Sequence, residues 1–142
     1  MAYRTRRRGF VISAVAAGLF LAAHNSHGGG SILTSGATLT SASSNVSLGQ
    51  QLASSYGWGS GSEWTCLDEL WTRESGWQMV WNTAGSGAYG IPQSLPASKM
   101  ASAGADYMTD PATQIRWGLG YIRATYGDPC GAWAHETANS WY

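Results

Sequence analysis

The chain has 142 residues, of which eight are Lys or Arg and eight are Asp or Glu, so its formal charge is zero. Four of the basic residues lie before residue 9 and no acidic residue does, so four basic and eight acidic residues remain after it, a formal charge of −4. This balance excludes the basic surface that recognises nucleic acid or an anionic membrane. The length suits one small domain.

The first 23 residues have the pattern of a secretory signal peptide. Residues 1–8 are basic, and residues 10–23 form an uncharged apolar run that ends in small residues. The run is shorter than the ~20 residues that span a membrane. We therefore expect cleavage after Ala23, secretion of the mature chain and no stable membrane association; an uncleaved anchor is the alternative.

Residues 24–46 are rich in Ser, Thr and Gly and have no sustained periodicity, which is typical of a flexible linker. Its two histidines are expected to be solvated and to hold no metal. The folded domain is predicted over residues 47–142. It begins with the capping-box pattern of Ser47 and Gln50, which predicts a helix that starts at Ser47 and runs to about Tyr56.

The second predicted helix carries the candidate catalytic acid. Ser62 is its expected N-cap, and its apolar positions fall on one face together with an acid: Leu67, Leu70, Trp71 and Glu74. Since Glu is rarely buried without a reason, Glu74 is singled out.

Glu74 lies in the last turn of this helix, just before Gly76. Burial and the negative end of the helix dipole both raise the pKa of a carboxyl group there, so the acid stays protonated near neutral pH and able to donate. The alternative is that Glu74 pairs with Arg73 or another cation and has no further role.

The remaining elements are also helical. A Gly-rich loop covers residues 85–90 and is expected beside the C-terminal end of the helix that carries Glu74, and Ser94 is expected to cap a short helix over residues 95–103. Asp110 and Pro111 are a strong helix start. A last short helix is predicted over residues 131–137, and at most a short ribbon of strand is expected at residues 89–91. The sequence thus predicts a mainly α domain.

The two cysteines, Cys66 and Cys130, both lie in the exported part, where a single pair is most simply a disulfide. Such a bond stabilises a domain of this size by about 4 kcal/mol in the chain-entropy model. All eight Trp lie between Trp58 and Trp141. Most are expected in the core, and some of the aromatic rings are expected to line an open cleft, because apolar sugar faces pack on such rings.

Three motifs together resemble a known family. They are Glu74-Ser75, then Gly-Ala-Tyr-Gly-Ile-Pro-Gln at 87–93, then Asp-Pro-Ala-Thr-Gln-Ile at 110–115 with Gly118, Tyr121 and Ile122. They are similar to the lytic transglycosylase domain of the soluble lytic type, in particular its small exported actinobacterial members. The resemblance covers residues 47–142.

The resemblance implies a lysozyme-like single domain that cleaves the β-1,4 bond between N-acetylmuramic acid and N-acetylglucosamine in peptidoglycan. The family's Glu, which matches Glu74, protonates the leaving oxygen and then acts as base while the C6 hydroxyl attacks, giving a 1,6-anhydro sugar. Neither a cofactor nor a second catalytic carboxylate is needed. The protein is then expected in the cell wall, as a monomer acting on glycan strands.

The resemblance also suggests substrate-binding residues. Gln93 matches the family's loop glutamine, whose amide holds the substrate beside the acid, and Tyr89 and Gly90 belong to the same loop. The family's late Ala-Tyr-Asn motif is missing. Trp133 stands at about that position as a candidate aromatic wall, and His135 as a polar contact.

Two alternatives remain open. A muramidase on the same fold would let water capture the intermediate and would need a second carboxylate, for which the sequence offers several unplaced candidates: Asp68, Glu69, Asp106, Asp110, Asp128 and Glu136. A non-catalytic wall-binding module would bind saccharide without turnover.

Overall fold

A computed structural model describes the backbone of residues 33–142 and the side chains of residues 41–142. This part is mainly helical, with four α-helices and one 3₁₀ helix: α1 (Leu33–Ser54), α2 (Gly61–Ser75), the 3₁₀ helix (Ala97–Ser102), α3 (Pro111–Thr125) and α4 (Pro129–Asn139). None of these helices is long and apolar enough to cross a membrane. The predicted signal peptide and residues 24–32 of the predicted linker lie outside the described residues.

The first helix differs from the prediction. α1 begins at Leu33, so the start expected at Ser47 is wrong, and residues 33–46, expected to be flexible linker, are helical. The Ser47 hydroxyl donates to the carbonyl four residues earlier and caps nothing. Tertiary contacts hold this helix, because buried Asn45 donates from Nδ2 to the Trp77 carbonyl at 2.9 Å. Its apolar side chains pack against the core: Val46, Leu48 and Leu52.

The amphipathic pattern of the second helix is confirmed. Leu67, Leu70 and Trp71 of α2 are fully buried. Glu74 follows them in the last turn, and Gly76 ends the helix in the left-handed conformation at φ 59°. The pattern therefore delivers Glu74 to the edge of the core.

Two predicted caps are wrong. α2 begins at Gly61, and its N-cap is Ser60 with no side-chain hydrogen bond, in place of Ser62. The Ser94 hydroxyl donates to the Pro96 carbonyl, and the short helix that follows is of the 3₁₀ type. Both differences move a helix end by one or two residues without changing the order of the elements.

An Asp-Pro pair begins each of the two C-terminal helices. Asp110 accepts the N–H of Ala112 at 3.1 Å, which confirms the predicted start of α3. Asp128 accepts the N–H of Gly131 at 2.7 Å, so α4 begins at Pro129 and not at Gly131 as predicted. In both helices the carboxylate satisfies a free backbone donor, and proline stands where its missing N–H is not needed.

The core lies between α2, α3 and α4. The disulfide Cys66–Cys130 joins α2 to α4 with a Cα–Cα distance of 5.0 Å, as predicted. From α3, three fully buried side chains complete the cluster: Ile115, Leu119 and Ile122.

Most of the tryptophans belong to the core, as expected. Trp58, Trp71 and Trp77 are buried. Three others are half-buried and pack against buried residues: Trp64, Trp117 and Trp133. Only Trp81 and Trp141 are mostly exposed, at 55% and 61%.

Candidate active site

The loop before the 3₁₀ helix is held against the C-terminal end of α2 by three side chains. Ser75 donates from its hydroxyl to the Ile91 carbonyl at 2.8 Å. Gln114 of α3 accepts the Ile91 N–H at 2.9 Å. Tyr142 donates from its hydroxyl to the Pro92 carbonyl at 2.9 Å. The backbone of the loop is thus fixed beside the last turn of α2, where Glu74 lies.

Gly90 allows this arrangement. Its φ is 85°, and a Cβ at this position would lie 2.5 Å from Oε1 of Gln114. Gly90 is buried, and its N–H donates to the Val80 carbonyl. The absence of a side chain at Gly90 therefore serves the packing of Gln114, and its backbone donor is used within the protein.

Glu74 is partly buried, and the pKa of its carboxyl group is raised to about 7. Burial is the largest cause, because it disfavours the charged form. The negative charge of Glu136 and a hydrogen bond to Glu136 raise the pKa further, while Arg73 opposes them. The raised pKa agrees with the expectation from the sequence, but Glu136, on another helix, was not foreseen.

Glu136 lies in α4 and is 3% exposed. Its Oε1 accepts from Nε of Arg73 at 2.9 Å. Its Oε2 has no hydrogen-bond donor among the described side chains. A protonated Glu74 supplies that donor, which is why the pair favours one proton on Glu74.

Glu74 lines a cavity of about 500 Å³, which we call the main cavity. Asn82 and Gln93 bring polar groups to it, and Leu95, Trp141 and Tyr142 bring apolar surface. The rest of its lining is made of small residues: Ala84, Ser86, Ala88 and Ser140. Residues 140–142 thus form part of its wall together with residues of the loop.

Two smaller cavities adjoin the main cavity through shared residues. The side cavity, of about 220 Å³, shares Glu74, Asn82 and Gln93 with it. The annex, of about 160 Å³, shares a different set: Gln93, Leu95, Trp141 and Tyr142. Together the three form an extended cleft that runs past Glu74. A further cavity of about 520 Å³ borders Asn45 and Met79, and none of the described residues that line it has a titratable side chain.

Gln93 lines all three parts of the cleft. Its backbone has φ 50°, a conformation that non-glycine residues seldom adopt. Its Nε2 donates to the carbonyls of Gly90 and Val80, at 2.9 and 3.1 Å. Its Oε1 has no donor among the described residues. Because Oε1 is itself buried, the Gln93 amide serves the loop through its donors, and the residue lines the cleft next to Glu74.

The other predicted binding residues lie outside the cleft lining. Tyr89 is buried, and its hydroxyl donates to the Met108 carbonyl at 2.8 Å. Trp133 packs against the core and lies below the Arg73 guanidinium, 5.9 Å from the ring centroid. Among the predicted residues, the structure brings together Glu74 and Gln93 but adds neither ring to the cleft wall.

Trp141 and Tyr142 take the place of these rings. The Tyr142 hydroxyl accepts from Nε1 of Trp71 at 2.8 Å, and burial, followed by the nearby Glu74 charge, raises the pKa of this phenol well above its usual value. His135, predicted as a polar contact, lies against Trp141 with ring centroids 4.3 Å apart and donates from Nδ1 to the Trp141 carbonyl. Aromatic composition alone did not indicate which rings reach the cleft.

Among the described residues that line the three parts of the cleft, Glu74 is the only Asp or Glu. Asp68 accepts from Nε1 of Trp77 at 2.8 Å, on another side of α2. Glu63 accepts the backbone N–H of Cys130. Of the remaining acids, Asp110 and Asp128 cap helices, Asp106 accepts a hydrogen bond outside the cleft, and Glu69 is exposed. Within residues 41–142, no group of three His, Cys, Asp or Glu side chains is arranged to hold a metal ion.

Comparison of the chain with protein-family models, with curated proteins and with solved structures found no match. The function therefore has to be inferred from the residues of the cleft.

Proposed function

We propose that the protein is a secreted lytic transglycosylase with a lysozyme-like domain, which cleaves the β-1,4 bond between N-acetylmuramic acid and N-acetylglucosamine in peptidoglycan. One observation carries the proposal: a single, partly buried glutamic acid with a pKa of about 7 stands in an extended cleft that no other described Asp or Glu lines. The motifs around Glu74, Gln93 and Asp110 support the same family.

The pKa of Glu74 suits an acid that must also act as a base. At neutral pH about half of the Glu74 carboxyl groups are protonated. The protonated form donates to the glycosidic oxygen, so the bond from that oxygen to C1 breaks and the leaving sugar takes the proton. The resulting Glu74 carboxylate then removes the proton of the C6 hydroxyl as its oxygen bonds to C1. The proton returns to Glu74, and no water is consumed.

In this proposal the positive charge that develops at C1 is stabilised by the substrate's own N-acetyl oxygen. Gln93 lines the same cavities as Glu74, so in this proposal its side chain contacts that group. Two cavities share Glu74 in their lining, so the cleft has room for more than one sugar of a polymer.

A muramidase that uses water needs a second carboxylate placed to activate the water. Glu136 is the nearest candidate, but it is almost fully buried, is paired with Arg73 and lines no part of the cleft. These features favour attack by the C6 hydroxyl. A wall-binding module without turnover would gain nothing from a carboxylic acid held half-protonated at neutral pH.

The disulfide agrees with export to an oxidising compartment. We therefore propose the cell wall as the place of action, with glycan strands as the partner.

The test is a digest of purified peptidoglycan by the oxidised mature domain, with the products identified by mass spectrometry. Glu74→Gln is the test variant. Glu69→Gln is the matched control, since Glu69 is exposed on the same helix and lies outside the cleft lining. We expect anhydro-ended products from the parent and from Glu69→Gln, and a loss of about 10³-fold in rate for Glu74→Gln. Reducing ends instead would indicate a hydrolase, and binding without products would indicate a wall-binding module.

A further inference from the structure

We propose that the annex binds the acidic peptide branch of the same polymer, with Lys99 pairing with a carboxylate of the peptide and the rings of Trp117 and Tyr121 contacting its apolar part. This inference rests on the proposed function, because it assigns a second part of the peptidoglycan strand to the cleft.

Lys99 is the only lysine in the chain. It is exposed in the last turn of the 3₁₀ helix and lines the annex. Its ammonium forms no ion pair with any side chain among residues 41–142, and none of the described residues that line the annex is Asp or Glu. The described part of the chain carries four more acidic than basic residues. An unpaired lysine in a cavity without acidic side chains favours the binding of an anionic group.

The annex also offers apolar surface. Trp117 and Tyr121 stack with centroids 5.3 Å apart and an interplanar angle of 6°. Leu95 and Trp141, which border both the annex and the main cavity, are 53% and 61% exposed. Large apolar side chains gathered in one cleft indicate a ligand surface. A neutral sugar has no partner for the Lys99 charge, whereas a short peptide with free carboxylates matches both the rings and the cation.

The position of the annex explains how one ligand fills both sites. The annex and the main cavity share four lining residues, so they form a branched space with Glu74 at one part and Lys99 at another. In peptidoglycan the peptide branches from the muramic acid, the sugar that supplies the bond to be cleaved. With that sugar beside Glu74, its peptide branch extends into the annex.

The test compares glycan strands that carry peptides with the same strands after an amidase has removed the peptides and the exposed lactyl carboxylates have been capped as amides. Binding is measured by calorimetry in a Glu74→Gln background, so that turnover does not consume the strands. We expect Lys99→Gln to weaken binding of peptide-bearing strands about fivefold, the usual size for an exposed charge pair. It should leave binding of peptide-free strands unchanged, and Lys99→Arg should retain most of the affinity.

Arg116→Gln is the matched control, because Arg116 is an exposed cation on α3 that is not among the residues lining the cleft. It removes the same charge and should not distinguish the two kinds of strand. Equal melting temperatures of the parent and Lys99→Gln exclude a folding effect.

Each outcome bears on one proposal at a time. Equal binding of both kinds of strand by the parent, or an equal effect of Lys99→Gln on both, overturns the peptide site even where the parent releases anhydro sugars. Conversely, a parent without turnover that still binds peptide-bearing strands through Lys99 overturns the catalytic proposal and supports the peptide site.

Discussion

The two walls beside Glu74 are held by different forces. The acid wall, formed by α2 and α4, rests on buried apolar side chains, the Cys66–Cys130 disulfide and the ion pair between Arg73 and Glu136. The loop wall, residues 80–95, buries Ile91 in the same core but is positioned mainly by single hydrogen bonds between its backbone and side chains from outside the loop.

Because of this difference, substitutions in the acid wall should affect mainly the stability of the domain, and those in the loop wall mainly the position of the residues that line the cleft. Apolar packing is spread over many weak contacts, so the acid wall loses stability gradually when one side chain changes. A single hydrogen bond to a buried backbone group leaves that group unsatisfied when it is lost. Substitutions that release the loop wall should therefore reduce activity by more than their effect on stability suggests.

The largest effect on stability is expected from removing the disulfide. Cys66→Ser together with Cys130→Ser should lower the free energy of unfolding by about 4 kcal/mol, because the unfolded chain is no longer constrained. Activity per folded molecule should persist below the lowered melting temperature, since neither sulfur lines the cleft. The measurement is thermal unfolding with and without a reductant. An unchanged melting temperature would contradict the assigned role of the bond in the acid wall.

The acid wall was the part that sequence patterns predicted best. The spacing of Leu67, Leu70 and Trp71 placed Glu74 at the core edge, because helical periodicity is a local property. Asp110 and the cysteine pair were also informative on their own. The helical spacing and the Asp110 cap are each contained in a few neighbouring residues, and a pair of cysteines in an exported chain has few roles other than a disulfide.

Contacts between distant segments could not be predicted in this way. Nothing local indicates that Glu136 reaches Glu74 from another helix or that Tyr142 reaches Pro92 and Trp71. The early start of α1 was missed for a related reason. Its Ser, Thr and Gly content has low helix propensity, and tertiary contacts such as that of Asn45 override this preference.

The second-largest effect is expected at the loop wall. Gln114→Met keeps the volume of the side chain but removes the acceptor for Ile91 N–H and the donor to the Tyr107 carbonyl. We expect a loss of about 2–3 kcal/mol in stability and a decrease in kcat/KM of about 100-fold, because Gln93 moves with the loop. Gln51→Met, at an exposed position in α1, is the control. Full activity of Gln114→Met would mean that the loop is held by other contacts.

A smaller effect is expected from the hydroxyl of Tyr142. Tyr142→Phe removes the bonds to the Pro92 carbonyl and from Trp71 Nε1, which should cost about 1–2 kcal/mol. The ring stays in place, so kcat should fall more than KM rises. Steady-state kinetics and thermal unfolding check this, with Tyr56→Phe, which removes a hydroxyl outside the cleft lining, as the control. A stability loss without any kinetic change would show that Tyr142 supports only the fold.

The smallest expected effect on catalysis, a shift in the pKa of Glu74, is also the most specific. Glu136→Gln keeps the size of the side chain and removes the charge that helps to raise the pKa of Glu74. The pKa should fall from about 7 but stay above its usual value, because burial, the larger cause, is unchanged. Since the acid must be protonated in the free enzyme, the alkaline limb of kcat/KM should move to lower pH.

The same substitution has a consequence for stability. The pKa of Glu74 is higher in the folded than in the unfolded protein, so between pH 4.5 and about 7 the folded state binds more protons and stability falls as the pH rises. In Glu136→Gln this fall should be smaller, and in Glu74→Gln the contribution of this group should vanish. Melting temperatures at pH 5 and pH 8 measure the difference. An unchanged pH profile together with an unchanged difference would mean that the Glu136 charge does not act on Glu74, and burial alone would then account for its raised pKa.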